Sequence, residues 1–282
     1  MTLAAAVLFG VSAVVAADVF EAVSPVRVAQ FRSVLAALVL GTVAYRRRLL
    51  NPQGKLGWTA ALGANLALVT VTFYWAIERL GVGPGTTIQF TGPVLVMVWM
   101  RLVEKRHVPL IAWLAGVAAI GGTALMSRAW EGQADPVGLV AAATAAVSFA
   151  SYLIIGEKVG SRLPSLTAVA YAFAFSTVIW LVLVPFSVAD LGSGSWARLL
   201  FVGLLGTAAP FLLEMAALRR ADPGSVGVVA TAEPVVGATL AWILLDQVLT
   251  APQIIGGMIT AVAVASIHLL TSRRLTLPLP PT

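Results

Sequence analysis

Two acidic residues lie deep within apolar stretches of this chain. Glu214 sits in "TAAPFLLEMAALRR" (Thr207 to Arg220) and Glu233 in "VVATAEPVVGA" (Val228 to Ala238). On insertion scales a charge at the centre of a membrane helix costs roughly 2.5–3.5 kcal/mol, so an acid there calls for a reason. A carboxyl that gains and loses a proton beside a polar cavity suits proton coupling or capture of an amino group. The structural alternative is a protonated acid that ties two helices together by a hydrogen bond. Arg32 is a third charge inside an apolar run, and Asp18 and Glu21 close the run before it. A short turn joins the two runs, so an ion pair of Arg32 with either acid is the simpler reading. The sharper one is recognition of a substrate carboxylate, which a guanidinium grips through two parallel hydrogen bonds.

Uncharged groups cluster around these. Tyr74, Trp75, Gln89, Phe90 and Thr91 form a polar and aromatic group on the third and fourth runs. Ser148 and Tyr152 are four apart and share a face of the sixth. Thr207, Phe211 and Glu214 share a face of the eighth. Apolar walls with a few polar groups are what a small-molecule pocket requires. Pro93 and Pro234 lie mid-run in the fourth and ninth. Proline has no N–H, so the carbonyls of Gln89 and Ala230 lose their helical partners. Freed carbonyls at membrane depth are tolerated where they line a cavity. The functional expectation is a kinked, gating helix or a substrate contact; the plain one is a static kink.

The elements that must position these groups follow from composition. Of 282 residues, 59% are hydrophobic and only 11% charged, with a mean hydropathy of +0.94. Soluble domains carry about 25% charged residues, so lipid is the expected solvent. Ten apolar runs lie near 3–20, 29–46, 58–78, 86–103, 109–127, 137–156, 165–187, 198–218, 225–245 and 252–271. Each is about as long as a helix that crosses a bilayer. Barrel strands would alternate with a period of two, and these continuous runs do not. The gaps hold turn formers, as in "GVGPG" and "RRADPGS". Trp58, Trp130 and Trp196 at run ends read as interface anchors. The expected fold is an all-α integral membrane protein of ten transmembrane helices.

The net charge of +6 does not point to nucleic acid, because the basic residues fall mainly in gaps between runs. With the amino terminus taken as cytoplasmic, the inner gaps hold Arg46 to Arg48, Lys55, Arg101, Lys105, Arg106, Lys158, Arg162, Arg219, Arg220, Arg273 and Arg274. The outer ends hold only Arg27, Arg79, Arg128 and Arg198. That asymmetry places both termini in the cytoplasm. The first run lacks a basic leader region and reads as a helix rather than a cleaved signal peptide.

The halves repeat at an offset of about 141 residues. "AIERLGVGPGTTIQFTGPVL" (Ala76 to Leu95) lies over "ALRRADPGSVGVVATAEPVV" (Ala217 to Val236), and Pro93 falls on Pro234. Five helices per half is an odd number, so the second half enters the membrane upside down. Inverted repeats mark transporters, with the site near the midplane between the halves. The expected units are 1–128, 136–272 and a loose cytoplasmic tail, 273–282. Small-residue stripes, Ala115 with Ala119 and Gly257 with Ala261 and Ala265, let helices approach closely. They pack within the chain or form the seam of a homodimer, the former being the simpler.

These motifs resemble the drug/metabolite transporter superfamily in its ten-helix, EamA-type form. "FYWAIERLGVG" (Phe73 to Gly83), "IQFTGPV" (Ile88 to Val94), "SYLIIGEKVG" (Ser151 to Gly160), "TAAPFLLEMAALRR" and "AEPVVGA" (Ala232 to Ala238) are similar to bacterial threonine/homoserine exporters. The resemblance covers nearly the whole chain. It implies an exporter of amino acids or similar small metabolites in the bacterial inner membrane, driven by the proton gradient. The chain departs from the pattern at three places. Asp18 and Glu21 stand where many relatives carry a lysine, Gln89 where those exporters tend to have an acid, and Asp246 in "LDQ" where G-E-R is usual.

Other classes lack their marks. With no cysteine and two histidines, no metal centre is expected. No G-x-S-x-G elbow supports an enzyme, no G-x-x-x-x-G-K-[ST] loop supports ATP-driven pumping, and no ring of charge supports a passive pore. The expectation is a secondary exporter without cofactor, working by alternating access, whose partners are a small-molecule substrate, protons and the bilayer. Lipophilic cations, toxins or a biosynthetic product are the alternative cargo.

Overall fold

A computed structural model of the chain describes residues 1–132, 135–185, 195–244 and 248–276, with side chains except at 16–22, 25, 195 and 271–276. The described residues are helical, with no strand among them. The helices are α1 (Thr2–Ala22), α2 (Pro25–Arg46), α3 (Leu56–Leu80), α4 (Val82–Gln89), α5 (Gly92–Leu102), α6 (Leu110–Met126), α7 (Pro136–Gly160), α8 (Ser165–Leu183), α9 (Ser195–Gly203), α10 (Ala209–Leu218), α11 (Pro223–Ala230), α12 (Ala232–Leu244) and α13 (Ala251–Thr276). A π turn, Leu204–Ala208, joins α9 to α10. In lipid every backbone group must find its partner inside the chain, and apolar runs of this length do so as helices. Seven segments are long and apolar enough to cross a membrane; Thr2–Val15 and Leu110–Met126 are shorter apolar helices.

Local chemistry sets several ends. α7 and α11 begin alike. Asp135 and Asp222 accept from the backbone N–H of Gly138 and Ser225, each at 2.8 Å, and a proline takes the first helical position. Both are N-caps in which the missing proline N–H costs nothing. Several boundaries differ from the sequence reading. The run expected near 86–103 starts earlier and is two helices, α4 and α5. The last helix continues through Arg273 and Arg274 to Thr276, because the helix-breaking prolines begin only at Pro278. The rest of the tail lies outside the described residues.

The breaks in the fourth and ninth runs are built alike. At Thr91 the backbone turns tight, with Thr91 N–H on the Ile88 carbonyl at 3.0 Å and Thr91 Oγ1 on the same carbonyl at 2.7 Å. At Thr231 the N–H reaches Val228 at 3.2 Å and Oγ1 reaches it at 2.6 Å. In each case proline follows and the threonine hydroxyl caps the carbonyl three residues back. The kinks are thus threonine–proline devices.

Packing sorts the helices into two trios and two pairs. α3, α4/α5 and α7 form one trio; α1, α9/α10 and α11/α12 form the other. α2 lies along α8, which packs as extensively on α3 of the first trio, and α6 lies along α13. The trios touch where α5 meets α11 and where α7 meets α10 and α11, whereas α4 and α12 do not pack on one another. The junction is close because it is lined by glycine. A Cβ on Gly227 would stand 2.9 Å from Leu153 Cδ1 and 3.0 Å from Pro93, and one on Gly156 would stand 2.7 Å from Leu218 Cδ1. The α6–α13 crossing also rests on glycine, but not on the whole of the expected stripes. Ala115 and Ala119 are buried, while Ala261 and Ala265 are exposed. The close residues on α13 are Gly256 and Thr260, against Gly122 and Met126 of α6. The register that buries Ile267 and Ala263 turns 261 and 265 outward.

Candidate functional site

Glu214, on α10, is 3% exposed and faces the Tyr152 hydroxyl of α7 closely enough to interact with it. That hydroxyl is buried and has no hydrogen bond of good geometry. Glu233 lies in the first turn of α12. The break at Thr231 therefore puts a helix N-terminus, with its partial positive charge, beside an acid inside the apolar bundle. The charge of Glu233 acts on Glu214, and that of Arg32 acts on Glu233. Arg32 Nε donates to Thr207 Oγ1 at 2.8 Å, and Nη2 approaches the Gly206 carbonyl at 3.4 Å. A line of ionisable groups, one guanidinium and then two carboxyls, thus runs from α2 through α12 to α10 and ends at Tyr152.

Phe211 is the apolar centre of the same region. Its ring meets Phe9 at 5.1 Å, Phe173 at 5.2 Å and Tyr152 at 5.7 Å, each edge to face, the arrangement aromatic quadrupoles favour. Four helices, α1, α7, α8 and α10, meet there. Ser148 is buried one turn before Tyr152.

The expected cluster on the third and fourth runs is split. Phe90 is buried and packs edge-on to Phe149 at 5.9 Å. Gln89, at the end of α4, has a buried side-chain oxygen without a partner, and Thr91 serves the kink. Tyr74 packs instead against a separate group formed by Ala29, Ala67 and Trp180. Trp75 is 51% exposed on the face of α3 that also exposes Ala61, Ala64 and Leu68. Consecutive residues of a helix diverge by about 100°, so Tyr74 and Trp75 face different surroundings. Pro93 and Pro234 both sit at breaks, Pro93 against Gly227 and Pro234 next to the Glu233 carbonyl that crowds Gly10 of α1. Asp18 and Glu21 have side chains outside the described residues, as does Asp246. The described partners of Arg32 are Thr207 and Gly206.

Sequence reasoning missed Phe9, Phe173, Ser12, Pro210 and the π turn. Pro210 carried a signal, since a proline three residues after Thr207 frees the Gly206 carbonyl. Phe9 and Phe173 carried none, being phenylalanines in apolar runs. A separate ionic group stands at the end of the bundle that bears most of the arginines. Arg106 reaches both carboxylate oxygens of Glu157 at 3.0 Å and Glu104 at 3.3 Å. Lys158 reaches Glu104 at 3.4 Å. Burial pushes the Glu104 carboxyl up, but hydrogen bonds from Arg106 and Trp99 and the Lys158 charge outweigh it, so the group is held below its usual value. No cluster of three metal-ligating side chains occurs among the described residues.

Comparison with known proteins agrees with this architecture. A family model described as "EamA-like transporter family" matches residues 1–128 and 136–269. The threonine/homoserine exporter RhtA of Salmonella typhimurium strain SL1344 is 28% identical over 220 residues, 75% of this chain and 70% of the exporter. That of Escherichia coli strain K12 is 27% identical, over 72% and 68%. The uncharacterized inner membrane transporter YicL of Salmonella typhimurium is 24% identical over 96% and 95%. A crystal structure titled "Crystal structure of protein" superimposes with a TM-score of 0.82 at 19% identity, covering 98% of this chain and 97% of the other, which is a likeness of fold. The chain is a multi-pass membrane protein of a transporter family.

Proposed function

We propose, from the premise that the chain belongs to the EamA-like transporter family, that it is a secondary exporter of amino acids or related small metabolites, coupled to protons and working by alternating access. One observation carries this reading: the line Arg32–Glu233–Glu214, which runs from α2 into the second trio and reaches Tyr152 of the first. A zwitterionic amino acid offers its carboxylate to a guanidinium and its ammonium to a carboxylate, and both lie in one apolar bundle. The names of the exporter relatives support the same cargo class. Glu214 and Glu233, two acids whose charges interact, are the candidate proton carriers.

The ten-helix, inverted-repeat architecture belongs to this proposal. It is supported by the two stretches matched by the family model and by the paired threonine–proline breaks. So does the bacterial inner membrane with both termini inside, supported by the distribution of lysine and arginine. On that orientation the trios meet on the cytoplasmic side and part between α4 and α12, which is an outward-facing state. Two carboxylates against one guanidinium would also suit a cationic cargo, the second reading.

The test is uptake of labelled amino acids into proteoliposomes with and without an imposed pH gradient. Saturable, gradient-stimulated transport with counterflow is expected, and its loss in Glu233→Gln and Arg32→Gln. Parental transport rates in both variants, normally folded and inserted, would overturn the reading. Uptake of lipophilic cations without amino acids would establish the second.

A further inference from the structure

Arg32 is held by one edge. A guanidinium has five N–H donors in a flat fork. Its side edge, Nε with one proton of Nη2, is turned to Thr207 Oγ1 at 2.8 Å and the Gly206 carbonyl at 3.4 Å. Its end edge, Nη1 with the second proton of Nη2, makes no hydrogen bond among the described residues. With the side edge taken, the end edge still offers two parallel N–H donors to the oxygens of a carboxylate.

The acceptors on the side edge are products of the π turn. Thr207 is fully buried, and its hydroxyl donates to the Val202 carbonyl at 2.8 Å. Its proton is thereby spent, and a lone pair faces Arg32. The bond spans five residues rather than the four of an α-helix, as does that from Ala209 N–H to the Leu204 carbonyl. Pro210 cannot donate to Gly206, so the Gly206 carbonyl is open to the guanidinium. Gly206 has to be glycine, since a Cβ there would collide with Ser12 of α1. Short π segments inside α-helices recur at functional sites. At the repeat offset of 141, Thr207 falls on Leu66, Pro210 on Val69 and Arg32 on Phe173. The device exists in one half only, so it does not belong to the shared shell.

We infer that Thr207, presented by the π turn, is the positioning residue for Arg32, and that the guanidinium it holds is the subsite for the α-carboxylate of the cargo. This rests on the amino-acid reading for the cargo and on the geometry alone for the carboxylate.

The test separates the two. The full chain is purified, and modification of Arg32 by phenylglyoxal is followed by peptide mass spectrometry in the presence of threonine, threoninamide or propionate. Threonine should slow modification more than threoninamide, which lacks the carboxylate. In Thr207→Val that preference should fall about tenfold, the loss of one hydrogen bond to a charged group. Thr207→Ser, which keeps the hydroxyl, should stay within about twofold of the parent. In proteoliposomes, Thr207→Val should raise KM and leave the maximal rate near parental. An unchanged preference in Thr207→Val, or no rescue by Thr207→Ser, overturns the positioning role. Protection by propionate without protection by threonine sinks the amino-acid reading and leaves the carboxylate subsite standing; protection by none of the three sinks the subsite. Asp18→Asn is run alongside, and a sharp rise in modification without cargo would mean that Asp18 holds the end edge, which also overturns the proposal.

Discussion

Replacing Gly227 by alanine should shift the balance between the two ends of the bundle. Gly227 lies in α11 at the junction of the trios, and an added Cβ would stand 2.9 Å from Leu153 Cδ1 and 3.0 Å from Cβ and Cγ of Pro93. Ordinary carbon contacts settle at about 3.5–4.0 Å, so three atoms on two helices must each retreat by roughly half an ångström or more. Pro93 cannot rotate away, because its ring is fixed to the backbone at a kink. Overpacking of this kind costs about 1–3 kcal/mol. The helix propensity gained by alanine, about 1 kcal/mol, is common to every state in which α11 is a helix and cancels between them. The whole overpacking cost therefore falls on the state in which this junction is closed, a shift of roughly 5- to 150-fold in the conformational equilibrium. The chain has no cysteine, so one introduced thiol reports alone. Met100, 4% exposed and with its Sδ 3.5 Å from where a Cβ on Gly224 would stand, is the reporter. Maleimide labelling of Met100→Cys should accelerate in Met100→Cys/Gly227→Ala by a factor in that range. Gly41→Ala, where nothing lies within 4 Å, is the control and should leave the rate unchanged. A rate that stays flat in the Gly227 variant, or rises equally with Gly41→Ala, would refute the idea that glycine packing holds this end shut.

Two further outcomes follow from other parts of the structure. Phe211→Ala removes the ring shared by three edge-on pairs and should lower stability by about 3–5 kcal/mol, read by denaturation in detergent; an unchanged midpoint would mean the rings are not a packed centre. Glu104 has its carboxyl held below the usual 4.5, so its ionic network contributes fully above that value and is lost as the pH falls through the lower, folded one. The parent should then be slightly more thermostable than Glu104→Gln at neutral pH, by the equivalent of about 0.2–1 kcal/mol, and the two should converge in acid; a gap that persists there would assign the difference to something other than charge.

The membrane class, the helical runs and the placement of the two kinks were legible in the sequence. They depend on local quantities: apolar length against the thickness of a bilayer, and a proline that lacks its N–H wherever the chain goes. Glu214, Glu233 and Arg32 stood out for the same reason, since a charge in an apolar run is costly before any neighbour is known. The partners of those charges were not legible. Arg32 lies one short turn beyond the run that Asp18 and Glu21 close, yet its described hydrogen bonds go to Thr207 and Gly206, some 175 residues on. Only the packing of α2 along the π turn brings them together. Tyr74 and Trp75 looked equal to Gln89 and Phe90 as pocket candidates, and the rotation of α3 separated them, sending Trp75 outward. Phe9 and Phe173 were ordinary apolar residues until four helices converged on Phe211. The sequence by itself determined which residues are expensive and where the chain must bend, because those costs belong to single residues and their own helix. The tertiary structure decided which of them meet, because the rotation and crossing of each helix are set by side chains and glycines on its neighbours.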